Sequence, residues 1–342
     1  MHRATLEPNV AANMLRRADL NPERIALIFE GEEVLFSEFA DRVRRQATLL
    51  RQGGVCVGDR VGFVGFNQPA FLETLFAANT LGAIFVPLNF RLTGEELTFI
   101  VNDAGMHTLI CDDALRAVVE PAMPNLCCQQ FYSCESEAPG WRHLLNERAA
   151  AEPCADVASV DAHDVCFIMY TSGTTGLPKG AMLTHGNLVA NLLQTRPMME
   201  DMVVEGQEVV IAPLPLYHIY SFTLNCGIML EAGAHNVLIP NPRDIPGFVK
   251  ELQKQKFSAF IGLNTLFVAL CNNEDFQDLD FSGLKLTASG GMALTSDTAK
   301  MWQRVTGCEI SEGYGMTETS PVSCQTAVDD ALEARVSTVG RV

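Results

Sequence analysis

The chain has 342 residues, 48% of them hydrophobic and 19% charged, and a formal net charge of −17. That length can bury a large core divided between two lobes, and the apolar share is ordinary for a globular α/β protein. The acidic balance argues against a phosphate backbone as a partner, so nucleic acid is not expected and any anion site has to be local.

The first twenty residues include His2, Arg3, Glu7, Arg16, Arg17 and Asp19 and hold no apolar h-region, so no secretory signal is expected. No apolar run reaches the roughly 18 residues a spanning helix needs. Cysteine occurs 11 times without any C-x-x-C spacing. Cys127, Cys128 and Cys134 cluster but lack a nearby histidine to complete a zinc site. Buried thiols in a reducing compartment, and so a cytoplasmic location, are the expectation.

From residue 24 short apolar runs alternate with helical patterns. RIALIFE is a strand candidate, and SEFADRVRRQATLLRQGG a helix ending at Gly53. RVGFVGF, AIFVPLN and HTLICDD are strands, separated by the helices QPAFLETLFAANTLG and EELTFIVNDAG. Thr93 and Glu96 form a capping box for the second of these. Strand–helix–strand spacing of this kind implies right-handed crossovers and a parallel sheet. Residues 115–163, with several prolines and weak periodicity, read as a loop-rich excursion joining two similar halves. The division expected is a first α/β subdomain over 1–160 and a second over 161–342.

The strand VCFIMY then runs into Tyr170–Gly180, reading YTSGTTGLPKG, and AMLTHGNLVANLL beyond it turns helical. Gly173 and Gly176 can reach positive φ and turn successive N–H groups into one concavity. Thr171, Ser172, Thr174 and Thr175 add hydroxyls and Lys179 a positive charge, so the stretch suits a polyphosphate. A plain Ser/Thr/Gly surface turn is the blander reading. The common nucleoside-triphosphate loop does not fit, because Gly180 stands where that motif needs a metal-binding hydroxyl, and this argues against a kinase of that class. Pro178 stiffens the approach to the lysine.

Further strands are EVVIAPLPLY, HNVLI, FSAFIGL, LKLTASGG and CEISEGYG, with helices SFTLNCGIMLEAG, DIPGFVKELQKQK, NTLFVALCN and TSDTAKMWQRVTG between them. Three of these strands end in chemically suggestive residues. PLPLYH delivers His218, which alone reads as easily as a core histidine. SGGM, Ser289, Gly290, Gly291 and Met292, lets backbone approach a ligand closely, though by itself it is weak. EGYGMTET holds Glu312, Gly313, Tyr314, Gly315, Thr317 and Glu318: a ring free to lie on something planar, a hydroxyl, and a hard oxygen ligand of the kind Mg²⁺ prefers. Ligands of such sheets sit outside the carboxyl ends of strands, so the loop, PLPLYH and EGYGMTE are expected to meet at one crevice. IYSFTLNCGIML and FIGLNTLFVAL are apolar with small residues at intervals, as a tunnel for a greasy acid or an ordinary core helix would be.

YTSGTTGLPKG resembles the signature loop of the adenylate-forming enzymes: acyl- and aryl-CoA synthetases, peptide-synthetase adenylation domains and beetle luciferases. NPRDIPGFVKELQKQKFSAFIGLNTLF and DFSGLKLTASGGM are similar to bacterial long-chain fatty-acyl-CoA ligases. The resemblance implies most of a large amino-terminal domain of two parallel-sheet βα subdomains packed together, without the small carboxy-terminal domain. It also implies ATP-dependent activation of a medium- or long-chain fatty acid through an acyl-adenylate to the coenzyme A thioester. An aryl-CoA ligase, a fatty-acyl-AMP ligase, or a nucleotide- or lipid-binding fragment without turnover are the alternatives. By the same resemblance Lys179, the loop and Mg²⁺ on Glu318 handle the phosphates, and Thr317 contacts the α-phosphate. Tyr314 stacks on adenine, with Glu312, Gly313 and Gly315 around it. Ser289 to Met292 border the adenine and the acyl group, and His218 lies beside the substrate carboxylate. STVGRV, residues 337–342, looks like the opening of the next family motif, so the chain alone is expected to turn over weakly or not at all. The implied partners are small molecules (fatty acid, ATP and CoA). Peripheral membrane contact and a homodimer are left open.

Overall fold

The computed structural model describes residues 6–171, 176–326, 338 and 340. In chain order the strands are β1 Ile25–Phe29, β2 Glu32–Leu35, β3 Arg60–Val64, β4 Ile84–Leu88, β5 Met106–Cys111, β6 Gln130–Ser133, β7 Arg142–His143 and β8 Val165–Thr171. They continue with β9 Lys179–Thr184, β10 Val209–Ala212, β11 His235–Leu238, β12 Ala259–Gly262, β13 Leu286–Ser289, β14 Ile310–Gly315 and β15 Val322–Gln325. Two sheets result, each in its own compact unit. The first unit takes residues 1–22 and 36–190, the second residues 23–35 and 191–342.

The sheet of the first unit runs β7-β6-β5-β3-β4-β8-β9. It is parallel except for β9, which returns antiparallel along β8. Helix Gly94–Asp103 shows the capping box read from the sequence: Glu96 N–H donates to Thr93 Oγ1 at 3.3 Å and Thr93 N–H to Glu96 Oε2 at 2.8 Å. Its apolar face, Leu97, Ile100 and Val101, packs on Val86, Leu109 and Cys111 of the sheet. Seven of the cysteines, Cys111 among them, are buried, and burial holds the Cys111 thiol well above its ordinary pKa.

The sheet of the second unit runs β15-β14-β13-β12-β10-β11-β1-β2. It is parallel from β14 to β1 and closed by an antiparallel strand at each end. Behind β12 and β13 stands an aromatic cluster in which Trp302 lies 4.8 Å from Phe267 and 5.2 Å from Phe260, ring centre to ring centre. The Trp302 indole N–H donates to Thr287 Oγ1 at 3.1 Å, so the ring is fixed at its polar end as well. That floor holds the strand ends that carry the site. Helix Ser296–Thr306, which supplies Trp302, starts at the N-cap Thr295 and stops at Gly307 with φ 74°, the left-handed value that ends helices.

Four expectations need correction. The compact units do not divide near 160, because β8 pairs with β4 and β9 with β8, which keeps residues 161–190 in the first unit. RIALIFE forms a strand, but β1 joins the second sheet beside β11, and the positive φ of Glu30 and Gly31 folds it directly onto β2. The excursion over 115–163 contains β6 and β7, which extend the first sheet, and helix Leu144–Ala150. After the glycine-rich loop a strand, β9, precedes the helix, which begins only at His185. In addition, SFTLNCGIM is mostly a π-helix, Phe222–Met229, with every residue buried. Its wide register is tied by Asn225 Nδ2 donating to Asn236 Oδ1 of β11 at 3.0 Å. Among the described residues no helix is long and apolar enough to cross a membrane.

His185 is 1% exposed, and its Nδ1 accepts the Val10 N–H at 3.2 Å. Burial pulls its pKa down to about 4, against a smaller opposing pull from Asp164. The folded chain therefore binds fewer protons here than the unfolded chain at mildly acid pH. The stability His185 contributes is complete above its ordinary value near 6.5 and is lost as pH falls towards 4. Unfolding free energies from urea titration over that window are expected to fall with a slope of up to about 1.4 kcal/mol per pH unit from this residue. His185→Asn should flatten that slope, and an unchanged slope would show that other groups govern it.

Candidate active site

In the first unit the YTSGTTGLPKG stretch is the connection of the β8–β9 hairpin, with Thr171 paired to Lys179 and Tyr170 to Gly180. Lys179 opens a strand and not a helix, unlike the lysine of the common triphosphate loop. Gly176 has φ 122°, a conformation reserved for glycine. Lys179 is exposed at the first position of β9. Gly180 has a packing reason to be glycine: a Cβ there would lie 2.6 Å from Ile168 Cγ2 and 3.1 Å from Tyr170 Cζ. Ser172, Gly173, Thr174 and Thr175 lie outside the described residues.

In the second unit the carboxyl ends of neighbouring parallel strands open onto one cavity of about 220 Å³. His218, Ser289, Gly290, Gly291, Gly313, Tyr314, Gly315 and Thr317 all line it, so two of the three segments expected to meet do so. Ser289 pairs with Glu312 across β13 and β14, which sets SGG beside GYG. Each glycine has its own constraint. A Cβ on Gly290 would press to 2.9 Å from the Tyr220 ring; Gly291 has φ 76°; a Cβ on Gly315 would fall 2.0 Å from the Pro321 carbonyl oxygen. Ser289 is 1% exposed, and its Oγ has no hydrogen-bond partner among the described residues. A buried hydroxyl left unpaired in a cavity wall suits a polar ligand group.

His218 caps the next helix, its Nδ1 accepting the Tyr220 N–H at 3.3 Å. Burial lowers its pKa, so the ring is neutral near pH 7 with its proton on Nε2. Tyr314 is 47% exposed at the cavity rim. Glu312, Met292 and Glu318 do not line the cavity. Glu312 Oε1 accepts the Leu294 N–H at 2.9 Å, its Oε2 is buried without a partner among the described residues, and burial raises its pKa. Met292 is exposed, and Glu318 is exposed in the one-turn 3₁₀ helix Thr317–Thr319.

Several lining residues went unnoticed in the sequence. Tyr220 packs on Gly290 and reaches the Gly262 carbonyl at 3.4 Å, Ser311 accepts from Gln325 Nε2 at 3.3 Å, and Met199 adds apolar surface. Only Tyr220 had a signal, standing at the start of the helix after PLPLYH. Among the described residues no cluster of three or more His, Cys, Asp or Glu could cage a metal. A lone exposed carboxylate does fit magnesium, which takes one or two protein carboxylates and completes its shell with phosphate oxygens and water.

A sequence profile of the AMP-binding enzymes matches residues 14–342. The chain belongs to the AMP-binding enzyme family. It is similar to a long-chain-fatty-acid–CoA ligase of Salmonella typhimurium, 38% identical over 325 residues that cover 87% of this chain and 58% of that one. It is also similar to a feruloyl-CoA synthase of Amycolatopsis, 33% identical over 308 residues covering 90% of this chain and 59% of that protein. The chain thus spans less than two thirds of the length of these relatives. The fold matches that of an anthranilate CoA ligase solved in complex with anthranoyl-AMP, with TM-score 0.90, 23% identity, and coverage of 99% of this chain and 66% of the other. Of the STVGRV tail only Thr338 and Gly340 are among the described residues.

Proposed function

We propose that this AMP-binding chain carries the nucleotide- and acid-binding part of an ATP-dependent acid–CoA ligase whose substrate is a medium- or long-chain fatty acid. The observation that carries the proposal is the two-faced cavity. Ser289, Thr317 and Tyr314 offer polar and planar contacts, and Met199, Ile219, Leu224 and Val322 an apolar wall. The name of the Salmonella relative supports the fatty substrate. The name of the feruloyl-CoA synthase, and a cavity of only about 220 Å³, support an aromatic acid as the second reading.

In this reading the acid's carboxylate attacks the α-phosphorus of ATP and expels pyrophosphate, and the thiol of coenzyme A then displaces AMP from the acyl-adenylate. The chain's work is alignment and charge neutralisation. Lys179 supplies positive charge to the phosphates and Thr317 a hydroxyl, while Tyr314 offers its face to adenine. His218, neutral, donates through Nε2. General-base work is not required of it, since a carboxylic acid is already ionised near neutral pH. Glu318 would hold magnesium, which when bound neutralises phosphate charge. ATP–pyrophosphate exchange measured across fatty, aromatic and amino acids tests the proposal in a chain of the relatives' full length. Exchange is expected with fatty acids of medium or long chain, and exchange driven by aromatic acids alone would move the assignment to the second reading.

A further inference from the structure

We propose that Asp103 is a positioning residue for Lys179, acting through Tyr170 as a latch on the base of the β8–β9 hairpin. This rests on the reading that the hairpin tip receives the phosphates of ATP. Tyr170 Oη donates to Asp103 Oδ2 at 2.6 Å, the short distance of a hydroxyl on a charged oxygen. The Tyr170 ring packs against the core beneath helix Gly94–Asp103 and crosses Gly180, its partner on β9. The residue before Gly180 is Lys179. One hydrogen bond therefore fixes the ring, the ring covers the strand, and the strand aims the lysine.

Asp103 has no evident use within its own helix. It is the last helical residue, where a carboxylate faces the negative end of the helix dipole and is mildly unfavourable. Its environment also keeps the latch closed, because burial and the neighbouring carboxylate push the Tyr170 phenol's pKa up and keep its proton in place. Gly180 completes the arrangement, since a Cβ there would press to 3.1 Å from the ring and 2.6 Å from Ile168 Cγ2 beside it.

Two measurements on this chain, hydrogen exchange at the amides of residues 179–181 and titration with ATP and magnesium, separate the latch from the reading beneath it. Asp103→Ala and Tyr170→Phe should each raise exchange at those amides by about tenfold, and the double variant should add little, because both changes break one bond. Asp103→Asn, which keeps an acceptor oxygen, should recover most of the protection. The thermal midpoint should hold or rise in Asp103→Ala as the carboxylate leaves the helix end. ATP affinity should fall in the two latch variants and in Lys179→Ala. Unchanged exchange at 179–181 in Asp103→Ala overturns the latch, as does a gain spread equally over helix 94–103. Faster exchange at 179–181 with ATP affinity untouched even in Lys179→Ala would leave the latch standing and defeat the nucleotide reading.

Discussion

Lys179→Ala is expected to cut ATP–pyrophosphate exchange by about 10²- to 10³-fold while leaving the thermal midpoint in place. The lysine is exposed at the first position of β9 and makes no ion pair among the described residues, so the fold does not depend on its side chain. Its charge has a use only when an anion arrives. Glu318→Gln should behave in the same way for the complementary reason. An exposed carboxylate at a one-turn helix is dispensable to folding, yet replacing it by an amide removes the one hard anionic ligand proposed for magnesium. Exchange rates and melting curves of both variants in a full-length chain check this. Wild-type exchange in either one would remove that residue from the proposed machinery.

Gly315→Ala is expected to destabilise the second unit by about 2–4 kcal/mol and to abolish nucleotide binding with it. The new methyl would sit 2.0 Å from the carbonyl oxygen of Pro321, a backbone atom that cannot swing aside. That same carbonyl accepts the Met316 N–H at 3.2 Å, so relief of the clash breaks the turn carrying Thr317 and Glu318. Denaturant midpoints and ATP titration would show both losses together. Gly313→Ala is the matched control, because a Cβ there meets nothing closer than 3.7 Å. If the two variants were equally stable, the close approach of Pro321 would be irrelevant.

Much of this architecture is legible in the residues because local and tertiary preferences agree there. Thr93 and Glu96 announce a helix start that the structure builds, and Gly307 a helix end. SGG and GYG follow apolar runs and sit at strand ends around one cavity. The misreadings fall where a partner distant in sequence decides. QFYS has no apolar alternation to mark it, and becomes β6 because the bare edge of β5 lies beside it. KGAMLT reads towards a helix, yet lies along β8 because Gly180 admits the Tyr170 ring. SFTLNCGIM has a helical pattern, but the sequence does not show that Asn225 reaches Asn236 and that the turns are wide. Tyr220 escaped notice because its role depends on Gly290, far along the chain.

The place of β1 between β11 and β2 has a consequence for how this protein is made and dissected. Leu27 is synthesised well before its neighbour in the sheet, Asn236. The early ribbon must stay available, unpaired and apolar, until β11 has emerged, and closing so long a loop is slow. A fragment begun at residue 191 would expose the flank of β11 as a sticky edge and should aggregate. Supplying residues 23–35 as a separate peptide ought to restore solubility, making the hairpin a plug that can be added in trans.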